Sequence, residues 1–94
     1  MKLKVKLWGM PGFLIAFKGE EEAEVEFNGN NVKDLFYHLF SDLEPEKRGV
    51  IFDDDGGISS RITIILNRRI VSDSNRFDRR LRGGDFIELV LAPG

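Results

Sequence analysis

Gly84-Asp85-Phe86-Ile87-Glu88-Leu89-Val90-Leu91, followed by Ala92-Pro93-Gly94, is the stretch whose reading decides the fold. A Gly-Asp turn opens it. Ile87, Leu89 and Leu91 then alternate with Glu88 and Val90, a period of two that predicts a strand with one face inward. So apolar a strand is expected at the centre of a sheet, with Pro-Gly ending it and the rest left as a tail.

The other terminus supplies its neighbour. In Lys2–Trp8, Leu3, Val5 and Leu7 point one way and Lys2, Lys4 and Lys6 the other. Gly9-Met10-Pro11-Gly12 breaks this strand. Phe13 to Phe17 is a continuous apolar run with two readings, the entry to a second strand or a partly exposed loop. Ala23, Val25 and Phe27 alternate with Glu22, Glu24 and Glu26, giving a second one-faced strand and a hairpin with a long connection.

Asn28-Gly29-Asn30 reads as a turn and Asn31 as a helix cap, with Asp34 placed to favour the exposed amides. Val32, Leu35, Phe36, Leu39 and Phe40 form one apolar stripe, which predicts a helix of about ten residues. Ser41 to Gly57 reads as an acidic loop, in which Val50-Ile51-Phe52 is either a short edge strand or a plug over the core. Arg61 to Leu66 is β-branched and apolar on both sides, as an interior strand should be. Asn67-Arg68-Arg69 is a turn and Ile70-Val71 a short strand. Ser72 to Leu81 is a polar connection with at most one helical turn.

One amphipathic helix covers one face of one small sheet, giving two layers. The expected fold is therefore α+β, a β-grasp with a mixed four- or five-stranded sheet on one main helix. Residues 1–94 form a single domain with 91–94 as a short tail, and the first and last strands lie side by side.

Composition narrows the chemistry. A hydrophobic content of 41% and a charged content of 32% describe an ordinary folded chain, expected to be cytoplasmic. No apolar run is long enough to span a bilayer, and the alternating start lacks the apolar core of a secretory leader. Cysteine is absent, so disulfides, thiolate nucleophiles and cysteine metal sites are excluded. His38 is alone and reads as a helix-surface residue. Asp53-Asp54-Asp55 lacks calcium-loop spacing, so no metal site is expected. Ser59-Ser60 sit in no nucleophile elbow, and the glycine pairs precede no phosphate-binding lysine. An enzyme in its own right is not expected.

Charge is unevenly spread. Residues 1–60 carry seven Lys or Arg against twelve Asp or Glu, and residues 61–94 carry seven Arg against four acids. Arg76, Arg79, Arg80 and Arg82 read as a solvated face or as a docking surface for an acidic partner. Without interleaved aromatics they suggest no nucleic-acid platform.

In order, these stretches resemble the β-grasp sulfur-carrier family, which contains the small subunit of molybdopterin synthase and the thiamine-pathway sulfur carrier and is related to ubiquitin. Met1–Leu7 is similar to the family's opening strand and Asn31–Phe36 to its capped helix start. Ile62–Arg69 with Leu81–Leu89 is similar to its third strand, Asn-containing turn and Gly-Asp entry to the last strand. Asp54-Asp55-Gly56 leans toward the longer, molybdopterin-type members. The resemblance implies that Gly94 is adenylated and converted to a thiocarboxylate for molybdenum or tungsten pterin synthesis. Leu91, Ala92 and Pro93 would be the projecting tail. ATP and Mg²⁺ would sit on an E1-like adenylating partner, and a synthase large subunit, in a heterotetramer, would receive the sulfur. Phe13, Ile15 and Phe17, with Arg76, Arg79, Arg80 and Arg82, are the expected docking residues. The departure is at the end, where Pro93-Gly94 stands in place of Gly-Gly. A thiamine-pathway carrier, a non-catalytic interaction module and a protein modifier remain alternatives.

Overall fold

The computed structural model describes residues 1–10, 12–13, 17, 19–72 and 76–92. Strands β1 (Lys2–Trp8), β2 (Glu22–Glu26), β3 (Ile62–Leu66), β4 (Arg69–Val71) and β5 (Phe86–Leu91) make one sheet in the order β2-β1-β5-β3-β4. Helices α1 (Val32–Phe40) and α2 (Pro45–Ile51) and a 3-10 turn at Arg76–Asp78 complete the described elements. This is the expected two-layer β-grasp, with the chain's two terminal strands paired in parallel at its centre.

Alternation accounts for the sheet. Leu3, Val5 and Leu7 of β1, Ile62 and Ile64 of β3, and Ile87 and Leu89 of β5 are all buried on one face. Val32, Leu35, Phe36 and Phe40 of α1 are buried with them. On the opposite face, Lys2, Lys4 and Lys6 stand directly across from Glu26, Glu24 and Glu22. Unlike charges in cross-strand register favour this hairpin over a slipped one.

Helix α1 begins as its cap predicts. The Asn31 side chain accepts a hydrogen bond from the Asp34 amide, and the Asp34 carboxylate accepts one from the Asn30 amide at 3.0 Å. Two amides at the helix entrance are thereby satisfied by a reciprocal pair of side chains.

Two expectations are corrected. Residues 45–51 are helical, not loop. Pro45 occupies the first turn, where its missing N–H costs nothing. Glu46 and Arg48 carry the charges that the two ends of a helix dipole favour. Its Ile51 is wholly buried, so the plug reading of Val50-Ile51-Phe52 holds, but on a helix. Phe52 lies just beyond, stacked on Tyr37 at 4.9 Å between ring centroids, and the Tyr37 hydroxyl donates to the Gly56 carbonyl.

The second correction concerns Phe13 and Phe17, which are core residues and not an exposed docking surface. The Phe13 ring meets Phe40 edge-on at 6.3 Å, and Met10 is buried in the same cluster. Apolar side chains between β1 and β2 close one end of the core where α1 stops. Ile15 lies outside the described residues.

Candidate functional site

Strand β5 is held on both sides. It runs parallel to β1, with Lys4 opposite Phe86 and Trp8 opposite Val90, and antiparallel to β3, with Ile62 opposite Leu91 and Leu66 opposite Ile87. Its entry is fixed by the residues that first suggested the fold. Gly84 takes a positive φ of 90°, which glycine adopts without a Cβ penalty. The Asp85 carboxylate accepts hydrogen bonds from the Arg82 amide and the Asn67 side-chain nitrogen. The Asn67 side-chain oxygen accepts from the Phe86 amide at 2.9 Å. Asn67 and Asp85 thus lock the β3–β4 turn to the start of β5.

At the other end of β5 the tail begins. Leu91 is still strand, paired with Ile62, so it does not project as expected. Ala92 is held as well: its amide donates to the Arg61 carbonyl at 3.0 Å, and the Arg61 guanidinium donates to the Ala92 carbonyl at 3.1 Å. The Arg61 amide in turn donates to the hydroxyl of the buried Ser59. Arg61 is the positioning residue that the sequence did not reveal, because an arginine at a strand's start carries no distinctive signal. Pro93 and Gly94, the latter the expected attachment point, lie outside the described residues.

Among the described residues nothing covers the sheet face away from α1 beside this end of β5. Trp8 is 42% exposed and Ile70 66% exposed, with Val90, Thr63 and Ile65 partly exposed between them. Register places Trp8, Val90 and Thr63 in one row and Glu88, Ile65 and Ile70 in the next. The Trp8 indole N–H donates to the Glu88 carboxylate at 2.8 Å, and the Lys6 ammonium lies 3.8 Å from the centre of the Trp8 ring. An exposed tryptophan held by two charged neighbours is a pre-ordered contact.

The arginines gather elsewhere. Arg79, Arg80 and Arg82 line a concavity of about 360 Å³ with Leu66, Asn67 and Asp85, at the entry end of β5. Arg76 is diverted, donating to the Ile62 carbonyl at 3.0 Å and stacking on Phe77. Four residue steps along β3, from Ile62 to Leu66, separate the two ends of this ladder, roughly 13 Å at the usual rise of a strand. Arginine concavity and tail base therefore occupy opposite ends of the same strand.

Among the described residues no group of three His, Cys, Asp or Glu side chains could hold a metal ion. The Asp55 carboxylate accepts from the Gly57 amide and shapes its own turn. His38 is exposed on α1 with its ring edge-on to Phe27. Among the described residues, no helix is long and apolar enough to cross a membrane.

No protein-family model matches this sequence, and neither does any curated protein. Solved structures do. The chain is similar to small archaeal modifier protein 1 from Methanosarcina acetivorans, at 23% identity and a TM-score of 0.72 over 97% of this chain and 92% of that one. It is similar to a candidate molybdopterin converting factor, subunit 1, from Pyrococcus furiosus, at 28% identity and a TM-score of 0.64 over 99% of both chains. It is also similar, at 19% identity and a TM-score of 0.58, to a chain of the complex of subunits 1 and 2 of molybdopterin-converting factor from Helicobacter pylori, over 100% of this chain and 97% of that one. The shared architecture is the ubiquitin-like β-grasp, spanning essentially the whole chain, and the Pyrococcus match adds sequence likeness to shared shape.

Proposed function

We propose that this chain is a ubiquitin-like carrier or modifier that acts with partner enzymes through the carboxylate of Gly94. The observation that carries this reading is the delivery of the tail base. A central strand locked at its entry by Asn67 and Asp85 ends in an Ala92 gripped by Arg61, beside an uncovered apolar face. A rigid handle with a defined exit is what a partner needs to receive a chain terminus in register.

The chemistry belongs to the partner. The Gly94 carboxylate attacks the α-phosphorus of ATP, held there with Mg²⁺, and pyrophosphate leaves. The resulting acyl-adenylate loses AMP to an incoming nucleophile. A sulfur nucleophile leads to a thiocarboxylate, whereas a lysine amine gives an isopeptide bond. Glycine at the reacting position presents its carbonyl without a Cβ. Pro93 withholds an amide from the cleft that receives it, so the activating partner grips the tail by other groups. The Arg79, Arg80 and Arg82 concavity is a second surface for an acidic partner.

Sulfur delivery for molybdenum or tungsten pterin synthesis, with a synthase large subunit as acceptor, is the specific fate that the Pyrococcus likeness favours. Protein modification is favoured by the likeness to the archaeal modifier. Intact mass spectrometry after incubation with a cognate activating enzyme, Mg²⁺-ATP and a sulfur donor tests the common step. The expected product has one oxygen replaced by sulfur, or, when sulfur is omitted and an amine supplied, an amide at Gly94. An unchanged mass in both reactions, with an enzyme shown to activate its own carrier, would overturn the reading.

A further inference from the structure

Strand β2 is one edge of the sheet, with β1 on its inner side. The phase of its hydrogen bonds is set at both ends, where the Phe27 amide donates to the Met1 carbonyl and the Leu7 amide to the Glu21 carbonyl. In an antiparallel ladder bonded pairs alternate with non-bonded ones. Residues 21, 23, 25 and 27 therefore bond to β1. The N–H and C=O groups of Glu22, Glu24 and Glu26 point off the edge, and no described strand pairs with them.

Beside that edge, between β2 and α1, lies a groove of about 460 Å³. Phe17, Val25, Leu39 and Leu43 give it an apolar floor. Glu24, Glu26 and Asp42 supply its charge, and no described lysine or arginine lines it. An exposed strand edge above an apolar groove invites an added strand, which gains main-chain hydrogen bonds and buries alternate side chains.

The chemistry of that strand follows from what β2 already accepts on its other side. β1 presents Leu3, Val5 and Leu7 to the core and Lys2, Lys4 and Lys6 to the glutamate row. A strand added at the free edge faces the same two demands. One side of it lies over the groove, while the other meets Glu22, Glu24 and Glu26. We propose that the free edge of β2 and its groove form a docking site for an extended segment of a partner protein in which apolar residues alternate with lysine or arginine. The site lies across β1 from β5, and neither Trp8 nor Ala92 lines it.

The test uses the full chain, isotope-labelled, titrated with a synthetic peptide of the β1 sequence, residues 2–8, followed by NMR. The expected result is shifts at the Glu22, Glu24 and Glu26 amides and at the Val25 and Leu39 methyls. Binding should weaken as salt rises from about 0.05 to about 0.5 M. A peptide with glutamate at each lysine should not bind. Glu24→Pro removes an outward donor without touching the β1 ladder, and edge strands tolerate proline. It should weaken the β1 peptide about tenfold. Should Glu24→Pro lose its dispersed spectrum, Leu39→Glu in the groove replaces it with the same expectation. Shifts confined to the Trp8–Ile70 face, equal binding of the glutamate peptide, or wild-type affinity in a folded variant would overturn the proposal. So would shifts at Glu22–Glu26 on simple dilution, which would assign the edge to a second copy of this chain.

Discussion

Asn31 shows how much one residue decides. Its side chain satisfies the Asp34 amide, its carbonyl accepts from Leu35, and its backbone bridges to Arg80. The helix thus starts where the long connection between β4 and β5 passes over it. Asn31→Ala should destabilise the protein by about 1 kcal/mol, the usual cost of a lost cap, read as a lower urea midpoint with an unchanged slope. This cap was legible in the sequence because a short polar residue ahead of an apolar stripe has few other uses. Arg61 was not, because its role depends on Ala92, thirty-one positions away. Sequence patterns report local periods; a guanidinium that reaches another strand's carbonyl leaves no period.

At the scale of elements, β1, β2, β5 and α1 could be read directly from an alternation or stripe that turns one face inward, and β3 from a β-branched run apolar on both sides. Helix α2 could not. Seven residues make two turns, only Ile51 is buried, and Gly49 interrupts the middle. That glycine is a testable weakness. A Cβ built there meets nothing within 4 Å, and its φ is not positive. Gly49→Ala should therefore stabilise the protein by about 0.5–1 kcal/mol, measured as a raised thermal midpoint. The Phe13–Phe17 run failed for a different reason. A continuous apolar run has no phase, so the sequence does not say which side chains turn inward, and both described phenylalanines do.

For the whole molecule, the important fact is which surfaces share an end. Trp8, Val90 and Thr63 flank the tail base, whereas Arg79, Arg80 and Arg82 lie beyond the opposite end of β5. The proposed activating partner, on taking the tail, meets Trp8, Val90 and Thr63 beside its base, and the arginines at the far end of β5 are left to another contact. Ile70→Glu places a charge on the most exposed large apolar residue of the protein's described part without disturbing the core. It should lower the affinity for the activating partner about tenfold or more, measured by calorimetry, while the unfolding midpoint moves little. Equal affinity would separate the tail from the face beside it. Clustering of charge in the sequence was visible. Its distance from the tail was not, since it depends on the direction in which β5 runs.

The placement of β5 also has a mechanical side. Anything joined to the end of this chain and pulled transmits its load through Ala92 into a strand flanked by β1 and β3. Tension along the strand runs across its inter-strand bonds, which lie at an angle to the strand axis. The two ladders are sheared together, not opened one bond at a time from an edge. Among the described residues the Arg61–Ala92 pair stands at the front of that load, so it is the first to yield, and the sheet behind it keeps its shape as the tail lengthens by one residue.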